Sequence, residues 1–237
     1  MRLSLPTFSG LVCAAWCGVG ELEATQPPHV TRDISMNTSG SSGSPSGFCQ
    51  MGGFTYFQAT DVVHGTELWR TDGTAAGTTL VKDIAAGLDS SSPNYLTVAG
   101  DTLYFIATDS THGYELWKSD GGPTSTVMVK DITAGSNGTT FGNFVSARGL
   151  LFFVANDGSA ANSELWVSDG TSAGTYMVMD INPTAGTGSS ITSMIAYNNL
   201  LFFNAVTPTN GNELWRSDGT SAGTSMVKDI FTGTSHS

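Results

Sequence analysis

Everything regular in this chain of 237 residues points to an all-β architecture, a β-propeller of four blades. A motif of twenty residues occurs four times, at 65–84, 113–132, 162–181 and 211–230. Its tryptophans, Trp69, Trp117, Trp166 and Trp215, follow one another after 48, 49 and 49 residues. Nowhere do ten consecutive residues show a helical period, whereas short apolar runs bounded by Gly, Asp and Ser recur throughout. One such unit cannot bury its own apolar faces, so repetition reads as architecture.

Each unit of ~49 residues divides into four strands. In the second unit they are expected at Tyr95–Ala99, Thr102–Thr108, Tyr114–Lys118 and Val127–Ile132. The blades then cover about 41–84, 91–132, 139–181 and 188–230, within a propeller at 41–237 that follows an N-terminal extension.

The second strand of each unit is apolar on both faces. Phe57, Phe105, Phe153 and Phe203 share one face with Ala59, Ala107, Ala155 and Ala205. Tyr56, Tyr104, Phe152 and Phe202 point the other way. A sheet sandwiched between two neighbours needs both.

The third strand carries "ELW". Burying its tryptophan between blades removes ~150–250 Å² from water. Its glutamate (Glu67, Glu115, Glu164, Glu213) is expected half buried, accepting from turn amides. Two residues earlier stand Gly65, Gly113, Asn162 and Gly211, a choice that suits a left-handed backbone. "DG" after the tryptophan predicts a tight turn with the aspartate capping its own backbone. Sixteen residues beyond each glutamate comes another aspartate: Asp83, Asp131, Asp180 or Asp229. The acidity therefore belongs to the repeat rather than to a solvated face.

The stretch "ELWRTDGTAAGT" and its copies resemble the ELWxxDGT repeat family of bacterial, mostly exported, repeat proteins. The resemblance covers roughly 41–232, and copy two departs from it with "ELWKSDGGPTST". It implies a propeller-like surface or secreted protein. It implies no reaction, because the repeat defines the family.

A net charge of −11 is the wrong sign for a nucleic-acid binder. Residues 1–20, with Arg2 ahead of an apolar run, resemble a secretory signal peptide and point to a secreted or cell-surface protein. No run is long and apolar enough for a transmembrane helix. Cys13 and Cys17 would leave with the signal, so no disulfide framework is indicated.

The segment 21–40 leads into a Ser/Gly-rich linker at 35–47. Within it "HVTRDI" (29–34) echoes the "MVKDI" of an outer strand. This predicts a donor strand that adds to a β-edge of a neighbouring subunit, so that the chain self-associates into a head-to-tail filament.

Chemistry has few candidates. His64 and His112 each stand three residues after an aspartate, Asp61 and Asp109, at equivalent places in adjacent blades. His and Asp suit a metal or acid–base site, and exposed hairpin loops are the plain alternative. Loop oxygens and negative charge admit a structural calcium, and no other cofactor is expected. Asn37 and Asn137 head N-glycosylation sequons.

Three function classes stay open. Near-identical repeats favour a non-enzymatic protein of surface adhesion or structural self-assembly. A carbohydrate- or peptide-binding propeller, with a glycan or surface protein as ligand, is the second. A propeller glycosidase or lyase is the third, and needs carboxylates or histidines unique to one blade.

Overall fold

The computed structural model describes residues 31–34, 42–158 and 163–233. Their strands form four sheets, each a four-stranded antiparallel meander in chain order. Blade 1 holds β1 (Ser46–Met51), β2 (Phe54–Asp61), β3 (Gly65–Thr71) and β4 (Thr79–Lys82). Blade 2 holds β5 (Asn94–Ala99), β6 (Thr102–Thr108), β7 (Tyr114–Ser119) and β8 (Val127–Lys130). Blade 3 holds β9 (Thr140–Ala147), β10 (Leu150–Asn156), β11 (Ser163–Ser168) and β12 (Tyr176–Met179). Blade 4 holds β13 (Met194–Tyr197), β14 (Leu200–Thr207), β15 (Gly211–Ser217) and β16 (Ser225–Lys228). The fold is a β-propeller of four blades. No described helix is long and apolar enough to cross a membrane.

The outer strand is shorter than the sequence suggests. In blade 2 it stops at Lys130, because the Ile132 amide turns away from the sheet and donates to Glu115 Oε2 at 2.9 Å. Just before that, a bulge opposite Leu116 and Trp117 offsets the ladder, and the same bulge recurs in every blade.

The core lies between blades. Blade 1 presents Tyr56, Leu68, Val81 and Ile84 to Phe105, Ala107 and Trp117 of blade 2. Blade 2 presents Tyr104, Leu116 and Val129 to Phe153, Ala155 and Trp166. Blade 3 presents Phe152, Leu165, Val178 and Ile181 to Phe203, Ala205 and Trp215. The two-faced reading of the second strand holds, and so does the placing of tryptophan between blades. Each blade thus has a leading face, with Phe, Ala and Trp, and a trailing face, with an aromatic residue, Leu, Val and Ile.

The inner strands β1, β5, β9 and β13 lie side by side in that order, and β13 makes no comparable contact with β1. Among the described residues three interfaces between blades are built, and the leading face of blade 1 and the trailing face of blade 4 meet no other blade. Blade 1's leading face is covered by Ile34, which packs on Phe57, Ala59 and Trp69. On blade 4's trailing face Leu214 is 39% exposed, Val227 46% and Ile230 62%. Their counterparts Leu68, Val81 and Ile84 are 0%, 4% and 8% exposed.

Candidate functional site

The two His–Asp pairs close the hairpins between the second and third strands of blades 1 and 2. Asp61 Oδ1 accepts from the amides of Val63 at 2.9 Å and His64 at 2.5 Å, and Oδ2 meets His64 Nδ1 at 2.7 Å. Asp109 repeats the arrangement with the amides of Thr111 and His112, and meets His112 Nδ1 at 2.7 Å. The sequence dictates this locally, because an aspartate that caps its own backbone puts its second oxygen beside the third residue on.

The charges respond to each other. Burial pushes the carboxyls of Asp61 and Asp109 up, but hydrogen bonds from the histidine ring and the turn amides outweigh it, leaving both below the ordinary value. The hydrogen bond to Asp109 raises the His112 imidazole above its usual value. Each aspartate engages Nδ1 of its histidine and so fixes the orientation of the ring.

The structure keeps the pairs apart as two local units. Among the described residues no three His, Cys, Asp or Glu side chains come together where a metal ion could sit. In blade 4 the corresponding Asn210 donates to Asp229 Oδ2 at 2.9 Å, linking the hairpin to the outer strand's aspartate. Asn137 is exposed in the turn after β8, and Asn37 lies outside the described residues.

The repeat glutamates are more deeply buried than expected, and their partners differ. Glu67, Glu115 and Glu164 are 0% exposed and Glu213 2%. Glu67 accepts from the amides of Ile84, Ala85 and Ser91, all at 3.1 Å, in the link that leads to blade 2. Glu115 accepts from the amides of Ile132 and Thr133 and from Thr139 Oγ1. Each of these carboxylates ties the end of one blade to the start of the next. Burial pushes Glu67, Glu115 and Glu164 up. Hydrogen bonds from the link only partly offset that.

A cavity of about 370 Å³ opens on blade 1's leading face, lined by Arg32, Ile34, Asp61, Val62, Val63, His64, Trp69, Thr79 and Leu80. It brings one of the two predicted pairs, Asp61 and His64, beside an aromatic ring and a guanidinium. The sequence had marked Arg32 and Ile34 only as part of a donor strand. Here residues 31–34 form no strand and lie on blade 1 of their own chain, while residues 29 and 30 fall outside the described residues.

No family model and no curated protein matches the chain. Among solved structures, a puromycin hydrolase mutant complexed with PGG is 16% identical with a TM-score of 0.49, over 81% of this chain and 28% of that one. The Pyrococcus horikoshii acylaminoacyl peptidase is 14% identical with a TM-score of 0.49, over 79% of this chain and 27% of that one. An endo-arabinase from Bacteroides thetaiotaomicron is 13% identical with a TM-score of 0.35, over 78% of this chain and 81% of that one. The chain thus spans little more than a quarter of the first two. These likenesses are distant, and the fold stands on the strands and their pairing.

Proposed function

We propose that this chain is a non-enzymatic, exported repeat scaffold that acts in surface adhesion or structural self-assembly. The observation that carries the reading is the uncovered trailing face of blade 4. Leu214, Val227 and Ile230 are exposed there although the same positions are buried in blades 1 and 3. Apolar side chains exposed at positions that the other blades cover favour an interaction site there. The repeat glutamates support the same reading, since carboxylates engaged by two or more backbone amides are poorly placed for acid–base chemistry.

A second reading has its own observation. The cavity beside Trp69 joins an aromatic ring to Arg32, Asp61 and His64, a lining that suits a sugar or a peptide. Light scattering and electron microscopy of the purified chain, together with a glycan and glycoside panel, separate the readings. Concentration-dependent assemblies without turnover are expected. A monomer that cleaves a glycoside would overturn the proposal.

A further inference from the structure

The triplet Arg32-Asp33-Ile34 repeats the Lys-Asp-Ile that ends the outer segment of blades 1, 2 and 4. The structure seats it in the corresponding place. At the first interface, Lys82 Nζ donates to the Thr126 carbonyl at 2.8 Å and lies 6.0 Å from the Trp117 ring. At the second, Lys130 Nζ donates to the Thr175 carbonyl at 2.7 Å and lies 6.0 Å from the Trp166 ring. On blade 1, Arg32 Nη1 donates to the Thr78 carbonyl and its guanidinium carbon lies 5.9 Å from the Trp69 ring. Thr78, Thr126 and Thr175 are the same position of the motif, eleven residues after its glutamate.

The match continues. Ile34 packs against Phe57, Ala59 and Trp69 as Ile84 packs against Phe105, Ala107 and Trp117. The Gly43 carbonyl accepts from Thr60 at 2.8 Å, as the Ser91 carbonyl accepts from Thr108 at 3.1 Å. The N-terminal segment thus stands where the end of a preceding blade would stand, without that blade's sheet.

Blade 4 carries the matching donors. Arg216 and Lys228 are both exposed. Their counterparts within the chain reach forward: Arg70 Nη1 to the Gly121 carbonyl at 2.8 Å, and Lys118 Nζ to the Gly170 carbonyl at 2.7 Å. At the third interface Val167 replaces the cation, and Tyr176 Oη donates to the Gly219 carbonyl at 3.1 Å instead. The glycines at these seats are pressed by the preceding blade. A Cβ on Gly121 would meet Tyr56, on Gly170 Tyr104 and on Gly219 Phe152, whereas a Cβ on Gly73 meets nothing within 4 Å. Blade 1 therefore has an acceptor seat filled at Thr78 by Arg32 and open at Gly73, and blade 4 exposes the matching donors.

We infer that blade 4 of one copy docks on blade 1 of a second copy, in the register of the three internal interfaces, and that Arg32-Asp33-Ile34 is the built-in competitor for that seat. In the docked state Lys228 takes the Thr78 carbonyl and the face of Trp69, Arg216 takes the Gly73 carbonyl, and Leu214 and Val227 are buried. The contact is heterologous, so copies add head to tail or close into a ring. The competitor is tethered, so it holds the seat at high effective concentration, and an incoming copy binds only the fraction from which it has left. This rests on the assembly reading proposed above, but replaces a strand donated at an edge with a displaceable mimic on a face.

Sedimentation velocity on the full chain over a wide concentration range tests it. The wild type should associate reversibly. Arg32→Ala combined with Ile34→Ser should associate at lower concentration, by about tenfold or more if the competitor occupies the seat most of the time. Arg216→Glu with Lys228→Glu, two exposed changes outside the three built interfaces, should remain monomeric with an unaltered thermal melt, and Leu214→Asp should also remain monomeric. Assemblies that survive the charge reversal and Leu214→Asp would overturn this interface while leaving self-assembly through another surface standing. Wild type and Arg32/Ile34 variant both monomeric throughout would overturn this interface and the assembly reading together.

Discussion

Gly174 lies so close to Asp169 that a methyl group on its Cα would stand 2.1 Å from the carboxylate Oδ1. The aspartate is held there by the amide and hydroxyl of Thr171, at 2.8 and 2.7 Å. Gly77 with Asp72 and Gly223 with Asp218 repeat the relationship. Copy two breaks it and explains it, because Ser125 stands at this position and its hydroxyl donates to Asp120. Gly174→Ala should therefore lower stability by about 0.5–1.5 kcal/mol, as the exposed Asp169 swings away and gives up its hydrogen bonds to Thr171. An unshifted denaturation midpoint would show that the turn swings aside freely.

Trp117 is 6% exposed and fills the gap between blades 1 and 2. Its replacement by alanine should cost about 3–5 kcal/mol. Thermal or urea melts report the loss, and a variant as stable as wild type would place the ring outside the core.

Glu164 accepts from the amides of Ile181 at 3.2 Å and Ser189 at 2.9 Å, one on each oxygen. Glu164→Gln turns an NH₂ group toward one of those donors, so about 1–3 kcal/mol should be lost. The same substitution has a pH signature. Burial raises the folded-state value of Glu164 above the ordinary 4.5, so the protonated carboxyl favours the folded state. That contribution is complete below 4.5 and is lost as pH rises through the raised folded value. Denaturation at a series of pH values should show this decline in wild type and less of it in Glu164→Gln. Equal declines would mean that other groups cause it.

Asp72, Asp169 and Asp218 act in the opposite sense, because the threonine hydroxyl and amide that cap each one hold it below the ordinary 3.8. Their contribution is present above 3.8 and is lost as pH falls through the lowered values. Stability should therefore peak in mild acid, between the two sets of carboxyls. A stability curve still climbing at neutral pH would contradict this balance.

The hydrogen bond to Asp109 raises the His112 imidazole above its ordinary 6.5. The pair therefore favours the fold below 6.5, and that advantage fades as pH rises through the raised folded value. Ring-proton NMR should place the His112 midpoint above 6.5 in wild type and nearer 6.5 in Asp109→Asn. Identical midpoints would mean that the carboxylate does not hold the ring in solution.

Much of this molecule was legible in one dimension because its forces act over short sequence distances. Period-two alternation around Phe105 and Tyr104 announced a sheet apolar on both sides. The Gly65 and Gly113 positions announced left-handed turns, found at φ of 66° and 68°. Asp61 with His64 closes a hairpin three residues apart, and an aspartate capping its own turn needs no distant partner. The interblade place of Trp117 followed from repetition alone.

Tertiary structure decided what lies across the gaps. Glu67 reaches Ser91 in the link between blades, a partner that no local pattern names. Leu68 and Leu214 both stand in Glu-Leu-Trp-Arg, yet one is fully buried and the other 39% exposed. Only the presence or absence of a neighbouring blade separates them. Arg32 carried the echo of an outer strand in its sequence. Whether that echo joined another chain or folded onto its own depended on where Trp69 and the Thr78 carbonyl stood in space. The sequence by itself determined what each unit is, because backbone dihedrals and side-chain periodicity are local. How the units meet, and which face stays bare, followed only from packing, because burial belongs to pairs of surfaces and not to either one alone.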